Sequence, residues 1–219
     1  MGIKRYVADK DNTITSAFKR DLLTRGTGSN MGASDILEVF SLYGQTFNSS
    51  STTGVVKTQE LSRTLVQFPV SDIIADRASG ALPASGSVDF YLRMYNAKHG
   101  ETIPRSLTLT VAPVSSSWEE GFGLDMENYQ DLTKNKEGSN WIKSSANINW
   151  ATVGGTYLTA SANNDYGDRR KEATLPNGSE DLEINVTDDV ERWIKGTLGA
   201  DGFPNYGFGV YLTASQEGY

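Results

Sequence analysis

The sequence contains no cysteine and only one histidine, His99, among its 219 residues. The absence of cysteine excludes a disulfide framework and a thiolate metal site, and one imidazole cannot form a histidine cluster. A Ser-His-Asp triad would have to use His99, which stands in the segment Ala-Lys-His-Gly-Glu without the pattern of a nucleophile elbow. We interpret His99 as an exposed loop residue, and we expect the protein not to be an enzyme.

The sequence also lacks an excess of positive charge and any long apolar run. Its 20 Lys and Arg against 27 Asp and Glu give a formal net charge of −7 at pH 7. Nucleic acids and anionic membranes both attract basic surfaces, so we expect neither as a partner. The first residues include basic side chains but no apolar h-region, so we expect synthesis in a cytoplasm without a signal peptide.

Hydrophobic residues make up 37% of the chain, and the remainder is rich in the turn formers Gly, Ser, Thr, Asn and Asp. About eight to ten short segments of alternating hydrophobicity are separated by such turn residues. This pattern is typical of an all-β sandwich or barrel with low helix content. We therefore predict one antiparallel β-sandwich domain over residues 1–219, with one or a few short helices and a long polar insert around 121–147.

The clearest alternation in the sequence lies in 87–97. Apolar side chains at even positions from Val88 to Met94 alternate there with polar and aromatic ones at odd positions from Asp89 to Tyr95. The segment 107–111 alternates in the same way, with Thr108 and Thr110 on the face expected to be exposed. We predict that the two segments form an antiparallel hairpin. A helical turn is predicted over 17–23, and Ser71 and Asp72 can cap a short helix that Gly80 ends. Further strands are predicted over 35–43, 62–70, 182–186 and 208–213.

The segment 180–213 predicts a strand, a short helix and a second strand. Thr187 and Asp188 offer side-chain oxygens to cap the helix, and Gly196 is placed to end it. A helix of about two turns is not stable alone in water, so its apolar stripe must pack against the rest of the fold. The predicted core residues, which include this stripe, are Trp118, Trp150, Val190, Trp193 and Ile194.

Acidic and amide side chains suggest two kinds of site. Adjacent carboxylates can serve as the acid and base of a glycosidase, but neighbours on a strand point to opposite faces, and helix capping explains Asp188 and Asp189. Calcium is bound by oxygen ligands, and two oxygen-rich clusters occur, although neither has EF-hand spacing. They are Asp9, Asp11 and Asn12 near the start, and Asn163, Asn164, Asp165 and Asp168. We expect no resident cofactor, with calcium at the first cluster as the alternative.

Aromatic residues outside the predicted core are the candidate binding residues. Tyr91, Tyr95 and Tyr211 fall on the polar faces of predicted strands, and Trp141 lies in a polar stretch. Tyrosine is favoured at protein interfaces, so contact with another subunit is one interpretation of these residues. An ordinary exposed surface and glycan binding are the alternatives at this point.

Four motifs follow one another along the chain. A Ser-Arg-x-Leu strand is followed by a Trp-Glu pair, a Val-Thr-Asp-x-Val-x-x-Trp helix and an Asn-Tyr-Gly strand, at 62–65, 118–119, 186–193 and 205–207. Together with segments at 8–9, 32–39 and 148–150, this order resembles the DNRLRE-type jelly-roll domains. The resemblance covers almost the whole chain and implies a jelly-roll β-sandwich.

Members of this family include extracellular carbohydrate-binding modules, parts of bacterial surface proteins, and virion structural proteins of tailed phages infecting marine bacteria. This chain is most similar to the phage members, because it is short, acidic, rich in polar loops and begins at a Met without a signal. Its insert around 121–147 departs from the secreted members. The resemblance implies a non-enzymatic virion protein that contacts other capsid, neck or tail proteins. A homo-oligomer and a carbohydrate-binding module recognising a surface polysaccharide are the alternatives.

Overall fold

A computed structural model describes residues 2–47, 55–98, 100, 105–126, 137–159, 166–196 and 202–218, with the backbone alone at 45–47 and 55–57. Strands account for 30% of the described residues and helices for 13%, and the strands pair in antiparallel sheets. The predicted all-β fold with a few short helices is therefore confirmed, while the jelly-roll connectivity stays a prediction. Four residues of the predicted sites lie outside the described residues, namely His99, Asn163, Asn164 and Asp165.

The described residues form ten strands and three helices. The strands are β1 (Lys10–Thr15), β2 (Ser41–Phe47), β3 (Val55–Gln67), β4 (Tyr91–Met94), β5 (Leu107–Pro113), β6 (Lys143–Ser145), β7 (Ile148–Asn149), β8 (Lys171–Leu175), β9 (Leu182–Asn185) and β10 (Phe208–Leu212). The helices are α1 (Val70–Ser79), α2 (Thr187–Lys195) and α3 (Ala214–Glu217). The largest sheet has the order β1-β3-β10-β5-β8, with β2 also paired to β3, and two smaller sheets contain β4-β9 and β6-β7.

The chain divides into two compact units, each assembled from three segments. Unit 1 comprises Met1–Asp11, Val66–Ser117 and Tyr157–Gly209. Unit 2 comprises Asn12–Leu65, Trp118–Thr156 and Val210–Tyr219. Strands β1, β3 and β10 contribute residues to both units. The predicted single domain over 1–219 stays a prediction.

A cluster of aromatic side chains forms the centre of unit 1. Trp193 of α2 packs edge-on against Phe203, with ring centroids 6.3 Å apart, and against Phe208 at 4.6 Å. All three residues are buried, as is Val190 on the same helix, whereas Ile194 is half-buried. Large aromatic rings contribute more buried apolar area than any other side chains, so these contacts hold the nine-residue helix in place.

The start of α2 differs from the prediction. Neither Thr187 nor Asp188 caps the helix, because Val186 occupies the N-cap position and no side chain forms a cap hydrogen bond. The Oγ1 of Thr187 instead accepts a hydrogen bond from the N–H of Phe90 at 2.8 Å. The Oδ2 of Asp188 accepts one from Arg169 Nη2 at 2.7 Å. Tertiary contacts thus use the side chains that local sequence rules had assigned to the cap.

Helix α1 follows the prediction at its end but not at its start. Gly80 adopts a left-handed conformation with φ of 79°, and its N–H bonds to the carbonyl of Arg77. Glycine adopts this conformation at little steric cost, which explains why the helix ends there. At the start, Pro69 occupies the N-cap position, so the expected cap by Ser71 is wrong.

The predicted hairpin between 87–97 and 107–111 is wrong. Strand β4 pairs antiparallel with β9, with Arg93 opposite Glu183, and β5 pairs antiparallel with β8. Alternation along a strand determines which side chains share a face, but it carries no information about the partner strand. Both partners here are distant in sequence, so the local pattern could not identify them.

Strands β5 and β10 are buried on both faces. All five residues of β10 are buried, and so are residues 109–113 of β5. Thr110 and Tyr211, predicted to face solvent, are therefore both interior. In the sheet, β10 lies between β3 and β5, and β5 lies between β10 and β8. Interior strands covered on both faces no longer require alternating polarity, so the expected wet face was wrong.

Two local predictions in unit 2 also differ from the structure. Residues 17–23 form no helical turn, and the backbone there folds back through a β-bridge between Phe18 and Arg25. The strand predicted over 35–43 begins only at Ser41. Both segments are short, so tertiary contacts rather than local propensity decide their conformation.

Tryptophans occupy the centre of unit 2. Trp118 and Trp150 are buried, and the indole Nε1 of Trp150 donates a hydrogen bond to the carbonyl of Asn140 at 2.8 Å. A buried indole usually needs such an acceptor, because an unpaired polar group in the interior costs stability. The contact therefore places Trp150 in one orientation beside the segment that precedes β6.

Candidate functional site

One side of the β4-β9 sheet in unit 1 presents two of the predicted binding residues. Tyr91 and Tyr95 are 54% and 65% exposed. Arg93 lies between them in the sequence and is also exposed, and its Nε is 3.5 Å from Oε2 of Glu183 on the neighbouring strand. We call Tyr91, Arg93, Tyr95 and Glu183 the tyrosine face. The alternation predicted for this strand therefore holds over Tyr91–Met94.

The backbone beneath the tyrosine face is held at both ends of β4. The carbonyl of Phe90 accepts a hydrogen bond from the N–H of Val186 at 2.8 Å. At the other end, the N–H of Asn96 donates to Oδ1 of Asp181 at 3.0 Å. Leu92 is buried on the opposite side of the strand. A surface fixed in this way loses little conformational entropy when a partner binds.

The tyrosine face combines aromatic and charged groups at short range. The guanidinium carbon of Arg93 is 5.2 Å from the ring centroid of Tyr95. An exposed cation–π contact of this kind contributes about 0.5–1 kcal/mol, and the exposed Arg93–Glu183 ion pair contributes roughly 0–1 kcal/mol. These contacts orient the side chains more than they stabilise the fold. Tyrosine and arginine are the residue types most enriched at the energetic centres of protein interfaces.

The other two predicted binding residues, Trp141 and Tyr211, are not on an exposed surface. They are 9% and 8% exposed. In unit 2 the guanidinium of Arg63 lies over both rings, 5.3 Å from the centroid of Trp141 and 5.0 Å from that of Tyr211. The expectation that Tyr211 lies on an exposed face is therefore wrong, and Arg63 occupies the stacking position on both rings. A role of Trp141 and Tyr211 in binding stays a prediction.

Arg63 also binds a carboxylate in a two-point geometry. Its Nε donates to Oε1 of Glu217 at 2.8 Å, and its Nη2 donates to Oε2 at 2.6 Å. Its Nη1 donates to the carbonyl of Gly154 at 2.8 Å. The side chains of Arg63 and Glu217 are only 16% and 13% exposed. We call the pocket formed by Arg63, Trp141 and Tyr211 the Arg63 slot.

A buried asparagine, Asn30, forms hydrogen bonds to the predicted polar insert. The Nδ2 of Asn30 donates to the carbonyls of Glu120 at 2.6 Å and Ser139 at 2.8 Å, and its Oδ1 accepts from the N–H groups of Gly32 and Gly123. Asn30 is fully buried. This one side chain thus joins both described parts of the insert around 121–147 to the loop after β1.

Two glycines make this arrangement possible and leave an exposed phenylalanine between them. A Cβ on Gly121 would lie 2.5 Å from Oδ1 of Asn30, and one on Gly123 would lie 2.4 Å from its carbonyl oxygen. Phe122, between the two, is 85% exposed. The backbone around a large exposed ring is therefore fixed by buried hydrogen bonds.

In the cluster proposed for calcium, the side chain of Asn12 already has protein partners. Asn12 is buried in unit 2, where its Nδ2 donates to the carbonyl and the hydroxyl of Ser139 and its Oδ1 accepts from the N–H of Met31. Asp9 is exposed in unit 1. Among the described residues, no group of three or more His, Cys, Asp or Glu is arranged to hold a metal ion. Asn12 is therefore removed from the set of ligands that the sequence suggested.

The adjacent acidic pair at the start of α2 serves ion pairing rather than capping. Asp189 is fully buried, and its two carboxylate oxygens bind Arg169 at 2.7 Å and Lys171 at 2.6 Å. Hydrogen bonding to Arg169 lowers the pKa of Asp188 below its ordinary value. A general acid at neutral pH needs a raised carboxyl pKa, so the shift at Asp188 is in the wrong direction for that role.

A shallow groove of about 520 Å³ lies between the first described residues and α1. Tyr6 lines the groove, and its hydroxyl donates a hydrogen bond to Oδ2 of Asp76 at 2.6 Å. Lys4 forms an ion pair with the same carboxylate. Burial and the hydrogen bond to Asp76 raise the pKa of Tyr6 to about 12. Tyr6 therefore stays protonated at neutral pH and anchors the chain on α1.

Comparison with known proteins gives no relative for this chain. No family model matches it, and no curated protein sequence or solved structure matches it significantly. Among the described residues, no helix is both long and apolar enough to cross a membrane. The candidate sites therefore depend on the sequence and the geometry given above.

The Arg63 slot and the Asn30 contacts were not predicted from the sequence. Arg63 meets Gly154 and Glu217 across long stretches of chain, so no local spacing indicates the contact. The Gly-Phe-Gly sequence at 121–123 was a usable signal for the second site, because a large apolar residue between glycines is unusual in a polar loop.

Proposed function

We propose that this protein is a non-enzymatic structural component of a tailed-phage virion, placed in the capsid decoration, neck or tail. It works through protein–protein contacts, and the tyrosine face is the contact surface that we favour. The single observation that carries this choice is the exposure of Tyr91 and Tyr95, at 54% and 65%, around an exposed arginine on a held strand. The resemblance of four ordered motifs to the DNRLRE-type domains supports the virion assignment.

The tyrosine face alone is too small for a strong interface, which agrees with a contact that is repeated in many copies. A standard interface buries about 800 Å² on each partner, which is more than four side chains provide. The tyrosine face would therefore form the centre of a larger contact that includes neighbouring loops. On a symmetric particle, many copies bind together, and the total affinity far exceeds that of one contact.

Incorporation into particles tests this proposal. Purified Tyr91→Ala/Tyr95→Ala protein should compete with the wild-type protein for particle binding at least tenfold less well, because the aromatic anchors of the interface are lost. The matched control is Tyr43→Ala, which removes a tyrosine of similar exposure, 48%, from β2 in unit 2. Equal competition by the wild-type protein, the double variant and Tyr43→Ala would contradict the tyrosine face as the contact surface.

A carbohydrate-binding module is the second candidate function, and the exposure of the same two rings favours it. Tyr91 begins β4 and Tyr95 follows its last residue four positions later, which places them roughly 13 Å apart along the strand direction. Exposed aromatic rings can stack on sugar rings. The guanidinium of Arg93 already lies over the ring of Tyr95, which leaves less of that ring for a sugar.

A glycan array separates the two candidates. The wild-type protein, Tyr91→Ala, Tyr95→Ala and the control Tyr43→Ala would be applied to the same array of bacterial surface polysaccharides. Binding by the wild type and the control but not by the two face variants would support the carbohydrate-binding module. Signals at background for all four proteins would count against it and leave protein contact as the explanation of the exposed tyrosines.

A further inference from the structure

Strand β4 has one paired edge and one edge that is open to a further strand. Among the described residues, β9 is the only strand that pairs with β4. Directly before β4, the carbonyl of Phe90 accepts a hydrogen bond from the N–H of Val186, and the N–H of Phe90 donates to Oγ1 of Thr187. In an antiparallel pair, residues that bond to the partner strand alternate with residues that do not. The N–H and C=O groups of Tyr91 and Arg93 therefore point away from β9 and line the outer edge.

The sequence around β4 lacks the features that usually block such an edge. A row of outward backbone donors and acceptors is a template for another chain, and natural edge strands are often protected by lysine, proline or a bulge. Residues 88–95 contain no lysine and no proline, and the pairing of β4 with β9 has no register shift. The two charged residues in this segment, Asp89 and Arg93, have opposite signs. The edge therefore does not repel a second strand of the same sequence.

The charges around β4 make the strand complementary to itself. Asp89 and Arg93 are both exposed and lie two residues before and two residues after Tyr91. When two copies of the strand pair antiparallel about a two-fold axis at Tyr91, each Asp89 lies opposite the Arg93 of the other copy. Opposite charges that face each other across strands are stabilising. An axis at Leu92 would place Asp89 opposite Tyr95 instead. An axis at Arg93 would place that arginine opposite itself.

We propose that β4 pairs antiparallel with β4 of a second copy of this chain, with the two-fold axis at Tyr91 and each Asp89 opposite Arg93 of the other copy. A contact of this kind is closed, because the same edge serves both copies. Arg93 can form the new pair while it keeps Glu183, because a guanidinium has several N–H donors and it is the Nε that lies 3.5 Å from Glu183. The inference goes beyond the proposed function, since it concerns the purified protein and requires no particle.

Pairing at the edge leaves the tyrosine face exposed and doubles its area. The two-stranded sheets of the two copies join into one continuous sheet, and both tyrosine faces lie on the same side of it. The paired segments are short, so the edge buries less than the roughly 800 Å² on each partner that a stable interface needs. The dimer is therefore weak, and it is to be measured at high protein concentration.

Charge reversal tests the partner and the register together. Asp89→Arg makes both charged positions basic, and Arg93→Asp makes both acidic, so each variant places like charges opposite each other when it pairs with itself. Each variant should dimerise about tenfold more weakly than the wild type in sedimentation velocity. An equal mixture of the two variants restores opposite charges at both positions. The mixture should associate to within about threefold of the wild type.

Matched controls carry the same charge changes in unit 2. Asp35→Arg and Arg20→Asp alter exposed residues and give the same net charges as the β4 variants, so both should dimerise like the wild type. A wild-type protein that stays monomeric up to about 1 mM would overturn the proposal. A mixture of the β4 variants that associates no more strongly than either variant alone would overturn it as well. Both outcomes leave the particle-binding test of the tyrosine face unaffected, so the two proposals fail separately.

Amide hydrogen exchange measured by NMR tests the edge itself. In the dimer, the N–H groups of Tyr91 and Arg93 are bonded to the second copy, so their exchange should slow as the protein concentration rises. The N–H of Leu92 points towards β9 and should exchange at the same rate at every concentration. Unchanged exchange at Tyr91 and Arg93 in a protein that dimerises would assign the dimer to another surface and overturn the pairing of β4.

Discussion

Replacement of Trp193 by alanine should remove the packing that holds α2 in unit 1. Trp193 is 3% exposed and contacts the rings of Phe203 and Phe208. Burial of roughly 200 Å² of aromatic surface at about 25 cal/mol per Å² corresponds to about 5 kcal/mol. Measured truncations of large buried aromatic residues to alanine cost about 3–5 kcal/mol. We therefore expect Trp193→Ala to lower the free energy of unfolding by about 3–5 kcal/mol.

A conservative variant separates packing from hydrogen bonding at the same position. Among the described residues, the indole Nε1 of Trp193 is buried without a hydrogen-bond partner. Trp193→Phe removes this unpaired donor and keeps most of the apolar contact, so it should cost only about 1 kcal/mol. The difference between the two variants measures the contribution of the packed ring.

Urea unfolding followed by circular dichroism provides the assay. In a protein of this size, a loss of about 3–5 kcal/mol lowers the melting temperature by roughly 10 °C, so thermal unfolding serves as an independent check. Tyr91→Ala is the control, because an exposed substitution should change stability by less than about 0.5 kcal/mol. A change below about 1 kcal/mol for Trp193→Ala would show that the ring is not a core residue and would refute this account of α2.

Three further predictions concern the buried polar contacts. Asn30→Ala removes four hydrogen bonds of a buried side chain, among them those that join Gly123 and Ser139 of the insert to the loop after β1. It should lower the free energy of unfolding by about 3 kcal/mol in urea denaturation, whereas replacement of the exposed Asn96 should cost less. Asp189→Asn leaves Arg169 and Lys171 facing a neutral group, so it should lower the free energy of unfolding by about 3 kcal/mol in the same assay. An unchanged free energy of unfolding would contradict this prediction. Hydrogen bonds from Arg77 lower the pKa of Glu191, so their stabilisation is complete above the ordinary glutamate pKa of about 4.3 and is lost as the pH falls through the lower folded-state value. The stability of Glu191→Gln, measured by thermal unfolding, should therefore fall less than that of the wild type between about pH 5 and about pH 3. Parallel pH profiles of the two proteins would contradict this.

Local sequence patterns predicted those elements whose exposure alternates. Strand β4 has exposed side chains at Tyr91 and Arg93 and a buried one at Leu92, so its pattern reports its geometry directly. The stripe of α2 likewise indicated which side of the helix packs. The pattern was misleading at Tyr211, because an interior strand covered on both faces accepts an aromatic residue on either one.

The candidate sites depend on contacts that the sequence does not encode locally. Arg63 and the Glu217 carboxylate that it binds are 154 positions apart in the sequence, and no spacing rule connects them. Asn12 was assigned to a set of ligands because the sequence does not reveal buried hydrogen-bond partners, and for the same reason no pattern singled out Asn30. Asn12 is a clear case, since its amide forms hydrogen bonds with the hydroxyl of Ser139 and the N–H of Met31.

Quantitative mass spectrometry of purified phage particles tests most directly whether the protein works as part of a virion. The particles would be purified by density gradient and analysed beside the infected-cell lysate. We predict that the protein is present in a fixed number of copies relative to the major capsid protein and stays with the particles through repeated purification. Its presence in the lysate and absence from the particles would contradict the proposed function.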